Sequence, residues 1–427
     1  MWPVMFFGIG IFILIISKVC LGSFKTPITF FSFLWCLVGG IANLCLYDYY
    51  PPSDIVNIII LSGVILFTIT YGLSMQGMPK ALFAKELEFD NVYINWRLLL
   101  FVNIVAILVL LPTLRQSLVL LRGDGLAYLR ANSTSVYSSG MLAVLNDSII
   151  RPLFVSTTVM SCVYLYTDNP KKKKIWFIIL AFVENLEMVL MTAGRAPIVN
   201  MIFYFVITLL LFRGRSIRSL LVRERKKVFF AILLLLFVFY LTEQRSISTA
   251  KGSSQMLETF YVYYFSGPSY FSRLLENVTQ YGPHGQLLYG AATFGFITNI
   301  FSDLMIILTH RSQGSLYLLG SVITNKQYSV GAHTNINAMC TCFYPFILDW
   351  GYLGVVIGIL VLTFIAWKIT KNLYREKNIM TISLYVFFLY VLIRTVFKWD
   401  LLNLDFTVVI LSLYVFTRRR KLESYND

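Results

Sequence analysis

Charge is scarce in this chain. Aspartate and glutamate together number 21 in 427 residues, histidine only three, and charged residues of all kinds make up 13%. A soluble domain averages about 25%, so a water-facing surface of ordinary size is excluded. Several enzyme signatures are missing as well. There is no P-loop, no G-x-S-x-G and no H-E-x-x-H. The D-x-D of metal-dependent nucleotide-sugar enzymes is absent too. Six cysteines (Cys20, Cys36, Cys45, Cys162, Cys340 and Cys342) show no metal-ligand spacing. Cys340 and Cys342 lie too close for an easy mutual disulfide. The cysteines read as buried or lipid-facing packing, and neither a metal nor a cofactor is expected. No repeat at a fixed period and no linker rich in Pro, Gly or Ser interrupts the chain. It reads as one membrane domain over residues 1–427.

What fills the space is apolar sequence, 57% of the total. Runs of about 20 apolar residues recur, the length that spans a bilayer as helix. We expect an all-α polytopic membrane protein with about eleven transmembrane helices. They start near Pro3, Pro27, Asp54, Leu98, Ser148, Ile175, Ala196, Val228, Phe343, Ile379 and Leu401. The first run lacks a basic start and a small-residue cleavage site and reads as a span, not a signal peptide. The formal charge is +15, but the cations do not form a nucleic-acid patch. Two thirds of the 36 lysines and arginines sit in one alternating set of short loops, including Lys171 to Lys174 and Arg213 to Lys227. The positive-inside rule makes that set cytoplasmic, which puts the N-terminus outside and the C-terminus inside.

One stretch breaks the pattern. Residues 243–342, opening onto a span that carries Asp349, form a long aromatic-rich segment containing all three histidines, His284, His310 and His333. We expect a large extracytoplasmic loop. Within it, the apolar run from Gly285 to His310 carries Asn299 and Asp303, each costly in lipid. A further crossing there would also invert the charge rule for the last loops. A surface or re-entrant helix is expected instead.

The candidate chemistry lies at the outer rim and in one span. In MTAGRAPIVN, Gly194 permits a tight turn and Pro197 suits the first turn of a helix. Arg195 between them is placed to hold a phosphate, or to anchor the chain at the interface. Glu184 and Glu187 are three apart on one helical face. At mid-membrane they imply a cationic partner, with Arg151 and Arg394 as candidates. They read as a packing ion pair, a polar wall or a base. Arg245 follows a span, and Arg273 lies in YYFSGPSYFSRLLEN with Tyr264 and Tyr270. Ring faces suit sugar C–H bonds and guanidinium suits phosphate oxygens; an interfacial aromatic belt looks the same. His333 precedes Asn335, Asn337 and the span with Asp349. Gly354 and Gly358 read as a helix-packing pair. No nucleotide pool exists outside the cytoplasm, so a group-transfer enzyme facing outward needs a membrane-borne activated donor, such as a polyprenyl-diphosphate sugar.

The layout of spans with a large late outer loop resembles the Wzy-type O-antigen and capsular polysaccharide polymerases. So do MTAGRAPI (191–198), YFSGPSYF (264–271) and DWGYLG (349–354). The R-x10-G loop pattern of some members is not matched at Arg245, Arg273 or Arg311. The resemblance implies a GT-C-like glycosyltransferase bundle without metal in the bacterial cytoplasmic membrane. It would transfer a growing glycan from undecaprenyl diphosphate to a new lipid-linked repeat unit, with a chain-length regulator as partner. On that reading Arg195, Arg245 and Arg273 stabilise the leaving diphosphate, His333 donates, and Asp349 or Glu184 is the base. Tyr264, Tyr270 and Asn335 contact sugar. The rival readings are an O-antigen ligase, a lipid-linked oligosaccharide flippase, and a lipid-linked-sugar enzyme using Asp48 and Asp54.

Overall fold

The structure is a computed structural model that describes residues 1–78, 87–132, 135–213, 229, 232–234, 253–277, 285–309, 326–337 and 339–418. Helix dominates, as it must where the backbone has no water to bond to. The helices are α1 (Trp2–Leu21), α2 (Leu34–Ala42), α3 (Asp54–Ser74), α4 (Trp96–Ala131), α5 (Gly140–Leu145), α6 (Arg151–Tyr164), α7 (Lys171–Thr192) and α8 (Ala196–Arg213). They continue as α9 (Ser253–Phe265), α10 (Gly267–Glu276), α11 (Gly295–Thr309), α12 (Phe343–Trp350), α13 (Leu353–Arg375), α14 (Ile379–Arg394) and α15 (Asp405–Thr417). Two short strands, β1 (Tyr328–Ser329) and β2 (Asn335–Ile336), pair antiparallel.

Among the described residues, five helices are long and apolar enough to cross a membrane: Trp2–Leu21, Asp54–Ser74, Trp96–Gly123, Lys171–Thr192 and Leu353–Arg375. Thr29–Ala42, Ala196–Phe212, Ile379–Arg394 and Asp405–Thr417 are apolar but shorter. Every expected span start except Val228 has a helix at or near it; the Val228 span lies largely outside the described residues.

One expected element differs. The span expected from Phe343 is broken: α12 ends at Gly351, whose φ of 60° and ψ of −153° no helix contains. A left-handed φ of that kind suits glycine. The chain then turns back so that Phe346 lies on the small face of Gly354 and Gly358. A Cβ on Gly354 would stand 1.8 Å from the Phe346 carbonyl oxygen, and one on Gly358 would stand 2.2 Å from the Phe346 ring. The glycine pair does serve packing, but between α12 and the helix that follows it. The apolar run from Gly285 becomes a turn and then α11, described from Gly295 to Thr309.

The chain divides into two compact units. The first comprises Met1–Lys85, Ser248–Lys371 and Phe388–Leu404. Its core is a run of packed rings: Phe31 on Trp35 and Phe67, Trp35 on Phe343, and Phe343 on Phe271. Trp35 Nε1 donates to Thr395 Oγ1 at 3.0 Å, which satisfies the one polar atom of a fully buried indole. The irregular segment after α14 acts as a seam. Thr341 and Cys342 N–H donate to Phe397 O and Thr395 O, and Trp399 Nε1 donates to Thr293 O at 2.6 Å. Asn299, costly in lipid, is spent here, donating to Leu402 O at 2.7 Å.

The second unit comprises Glu86–Ile247, Asn372–Phe387 and Asp405–Asp427. Asn95 caps α4 by accepting from Leu98 N–H. At that end Trp96, Tyr164 and Phe177 pack edge-on, each ring against the other two, and join α4, α6 and α7. Further along, Ser117 donates to Met191 O at 3.2 Å. The two contacts together show that α4 and α7 run parallel. Between them lies a buried polar layer: Thr157 donates to Asn103 Oδ1, and Asn185 donates to Thr158 Oγ1 and to Ala181 O.

Candidate functional site

The first unit presents a polar, aromatic surface where residues 45–53 meet α9, α10 and the β1–β2 hairpin. Cys45, Tyr47 and Asp48 all have left-handed backbone, with φ of 52°, 58° and 60°. None is glycine, and each such residue costs on the order of 1–3 kcal/mol unless its surroundings impose it. The hairpin imposes it here. Tyr49 bridges to Gly331, Tyr50 N–H donates to Val330 O, and Ala332 N–H donates to Asp48 O. From the other side, Ser269 Oγ donates to Tyr50 O and Ser272 Oγ accepts from Ser53 N–H, both at 2.8 Å.

This arrangement sorts the expected residues. Arg273 lies over the Tyr50 ring, 5.0 Å from its centroid, and pairs with Glu276 at 2.7 Å. His333 and Asn335 are exposed on the hairpin. Tyr270 is not: its ring is fully buried against Tyr328, and its hydroxyl donates to Lys326 O at 3.0 Å. Tyr264 packs edge-on against Phe397. The rings open to a ligand at this end are Tyr47, Tyr50 and Tyr263. Tyr261 lies beneath, against Tyr47 and Tyr49, and donates to Ile41 O. Burial pushes its phenol up to about 12, so it stays protonated.

Asp349 has a structural place. It is fully buried, and its two oxygens accept from Ala292 N–H at 2.9 Å and Thr293 N–H at 2.5 Å. The carboxylate closes the turn that leads into α11, with both of its oxygens committed to backbone amides. Burial also pushes the Cys340 thiol up to about 12 and raises Cys342 well above its ordinary value. Neither is a ready thiolate.

In the second unit the turn 192–196 is built as expected, with one change. The left-handed residue is Ala193, at φ 48°, and not Gly194. Pro197 takes the second position of α8. Arg195 lies half-buried between the two helices. A second guanidinium arrives unannounced by the sequence. α4 breaks at Gly125 (φ 81°), and its last turns carry Leu129 onto Ala193. Arg130 then donates to Thr192 O at 3.4 Å.

Neither expected cation meets the buried carboxylates. Arg151 pairs with Asp405 at 3.0 Å and Asp147 at 3.3 Å, and Arg394 pairs with Asp400 at 2.9 Å. Glu184 and Glu187 are 0% and 4% exposed, and no oxygen of either has a hydrogen-bond partner. Glu184 lies two turns below Thr192, about 12 Å along the helix. Arg245 lies outside the described residues, as do His284 and His310. Among the described residues no group of three or more His, Cys, Asp or Glu could hold a metal ion.

Against family models, curated proteins and solved structures, the chain has no match.

Proposed function

We propose that this protein is a glycosyltransferase that polymerises undecaprenyl-diphosphate-linked repeat units into O-antigen or capsular polysaccharide. On this reading it works at the outer face of a bacterial cytoplasmic membrane. The observation that carries the reading is the surface of the first unit. There a strained, hairpin-strapped loop presents Tyr47 and Tyr50 beside Arg273, His333 and Asn335. Flat rings suit sugar faces, and a guanidinium with an imidazole suits a phosphate ester. In the second unit, taken by itself, the turn with Arg130 and Arg195 carries two guanidiniums, a set that suits a diphosphate.

The donor bond that breaks joins the anomeric carbon to the diphosphate oxygen. Charge grows on that oxygen, and fixed cations there lower the barrier. The acceptor hydroxyl loses its proton late in the step. The base role passes to His333, because Asp349 is committed to backbone amides and Glu184 is sealed from solvent. A chain-length regulator is the expected protein partner.

The deciding experiment is the length profile of surface and lipid-linked glycan in a strain deleted for the gene. The proposal expects single repeats at the surface and no ladder. Long chains stranded on the lipid carrier would make the protein a ligase. Failure of any repeat to cross the membrane would make it a flippase.

A further inference from the structure

The second unit holds a feature that glycosyl transfer at a membrane surface does not use. Glu184 and Glu187 face one side of α7 and are sealed from solvent, and none of their four oxygens has a hydrogen-bond partner. A third buried polar group without a partner, the Thr113 hydroxyl on α4, belongs with them. Its placement follows from the packing of the two helices. They run parallel from Trp96 beside Phe177 to Ser117 beside Met191. Thr113 is one turn before Ser117 on the same face, and Glu187 is one turn before Met191. The hydroxyl therefore faces α7 at the level of the carboxylates. The hydrogen-bonded set Asn103, Thr157, Thr158 and Asn185 continues this polar layer toward the Trp96 end.

Among the described residues, the charges around the pair leave it uncompensated. On α4 the charged groups nearest the layer in sequence are Arg97, beside Trp96, and Arg115, which follows Thr113 by two residues and so lies on another face of the helix, exposed. On α6 they are Arg151, already committed to Asp405 and Asp147, with Cys162 and Tyr164. On α8 they are Tyr204 and the terminal Arg213. On α7 itself, Lys171 to Lys174 lie ten residues or more away, nearly three turns from Glu184. Two bare carboxylates three residues apart in an apolar interior repel each other and lack solvation, a cost that neutralisation removes. A metal cation would need several oxygen ligands, and no such cluster exists among the described residues.

We propose that Glu184 and Glu187 form a membrane-embedded proton-binding site, with the Thr113 hydroxyl as its third polar member. The folded protein holds at least one proton on the pair. One carboxyl O–H donates toward the other carboxyl, which removes the repulsion between two charged groups. The site gives the second unit a group that takes up and releases protons from the polar layer, independent of whichever ligand the first unit binds.

The test uses the full-length protein in lipid nanodiscs and an apolar carbodiimide, which reacts with protonated carboxyls in apolar surroundings. Peptide mapping by mass spectrometry should find the adduct on Glu184 or Glu187. Labelling should fall as pH rises and should be indifferent to added sodium chloride. It should drop to background at this peptide in the E184Q/E187Q variant, while the infrared carbonyl band of protonated carboxyls loses intensity. If the variant does not fold, the wild-type map and its pH and salt dependence decide alone. No adduct on either residue, or labelling that does not change with pH, overturns the proposal. Protection by sodium also overturns it, in favour of a metal-cation site.

Discussion

Arg394 and Asp400 form an ion pair at 2.9 Å whose carboxylate is only 2% exposed. Lys398 approaches the same oxygen at 3.4 Å. The pair fixes the segment that runs from the end of α14 to the seam at Trp399 and Leu402. Removing one partner of a buried pair costs about 3–5 kcal/mol. Arg394→Ala should fall at the low end, because Lys398 still faces the carboxylate. Thermal unfolding of the purified variant in detergent checks this, and Lys398→Ala alone should have a much smaller effect. Equal losses would show that the arginine is not the principal partner.

Asp349 separates a structural from a catalytic role. A base in an otherwise unaltered site would lose activity on Asp349→Asn with thermal stability unchanged. A carboxylate that closes the Ala292–Thr293 turn should lose thermal stability while the activity per folded molecule holds. Hydrogen bonds to a charged group are worth about 1.5–3 kcal/mol, and the asparagine amide presents a donor to one of two backbone donors. The expected result is a lower melting temperature, with activity in surviving folded protein close to wild type.

Gly354 and Gly358 should not tolerate a methyl group. Overpacking of a close contact costs about 1–3 kcal/mol. Gly354→Ala meets the Phe346 carbonyl, a backbone atom that cannot step aside, whereas Gly358→Ala meets a ring. The first substitution should therefore reduce the yield of folded protein more than the second. Phe346→Leu should rescue Gly358→Ala but not Gly354→Ala.

Arg195 and Arg130 flank one turn and should act on the same leaving group. Loss of one preorganised donor at such a site costs about 10²–10³ in rate. Arg195→Ala and Arg130→Ala should each lower glycan polymerisation by that order while membrane levels of the protein stay normal. Lysine should not restore activity, since it offers a point charge where a planar fork is needed. Activity within a few-fold of wild type in both variants removes the diphosphate role from this turn.

The sequence discloses the helices far better than their partners. α1, α3 and α7 were legible because each is an unbroken apolar run of bilayer length. The break at Gly351 was not. The run DWGYLGVV reads as continuing helix, and glycine is common inside membrane helices. What ends α12 is Phe346 seating on Gly354 and Gly358, a tertiary contact. The carboxylates in the span implied a cation by cost alone, yet Arg151 and Arg394 answer to Asp405 and Asp400 instead. Periodicity orders residues on one helix and says nothing of which helix faces it. Arg273 could be foreseen as a cation among aromatics, but the ring it covers, Tyr50, comes from a loop more than two hundred residues earlier. Arg130 was unreadable, because its place depends on the bend at Gly125.

The left-handed run at Cys45, Tyr47 and Asp48 makes the loop a latch. Its shape is not its own, since three unfavourable backbone states persist only while Gly331 and Val330 hold the other side. Whatever draws the hairpin away lets residues 45–48 fall back to ordinary backbone angles. Tyr47 and Tyr50 then lose their setting although neither has been touched. The two stretches, far apart in the chain, keep or lose their binding surface as one.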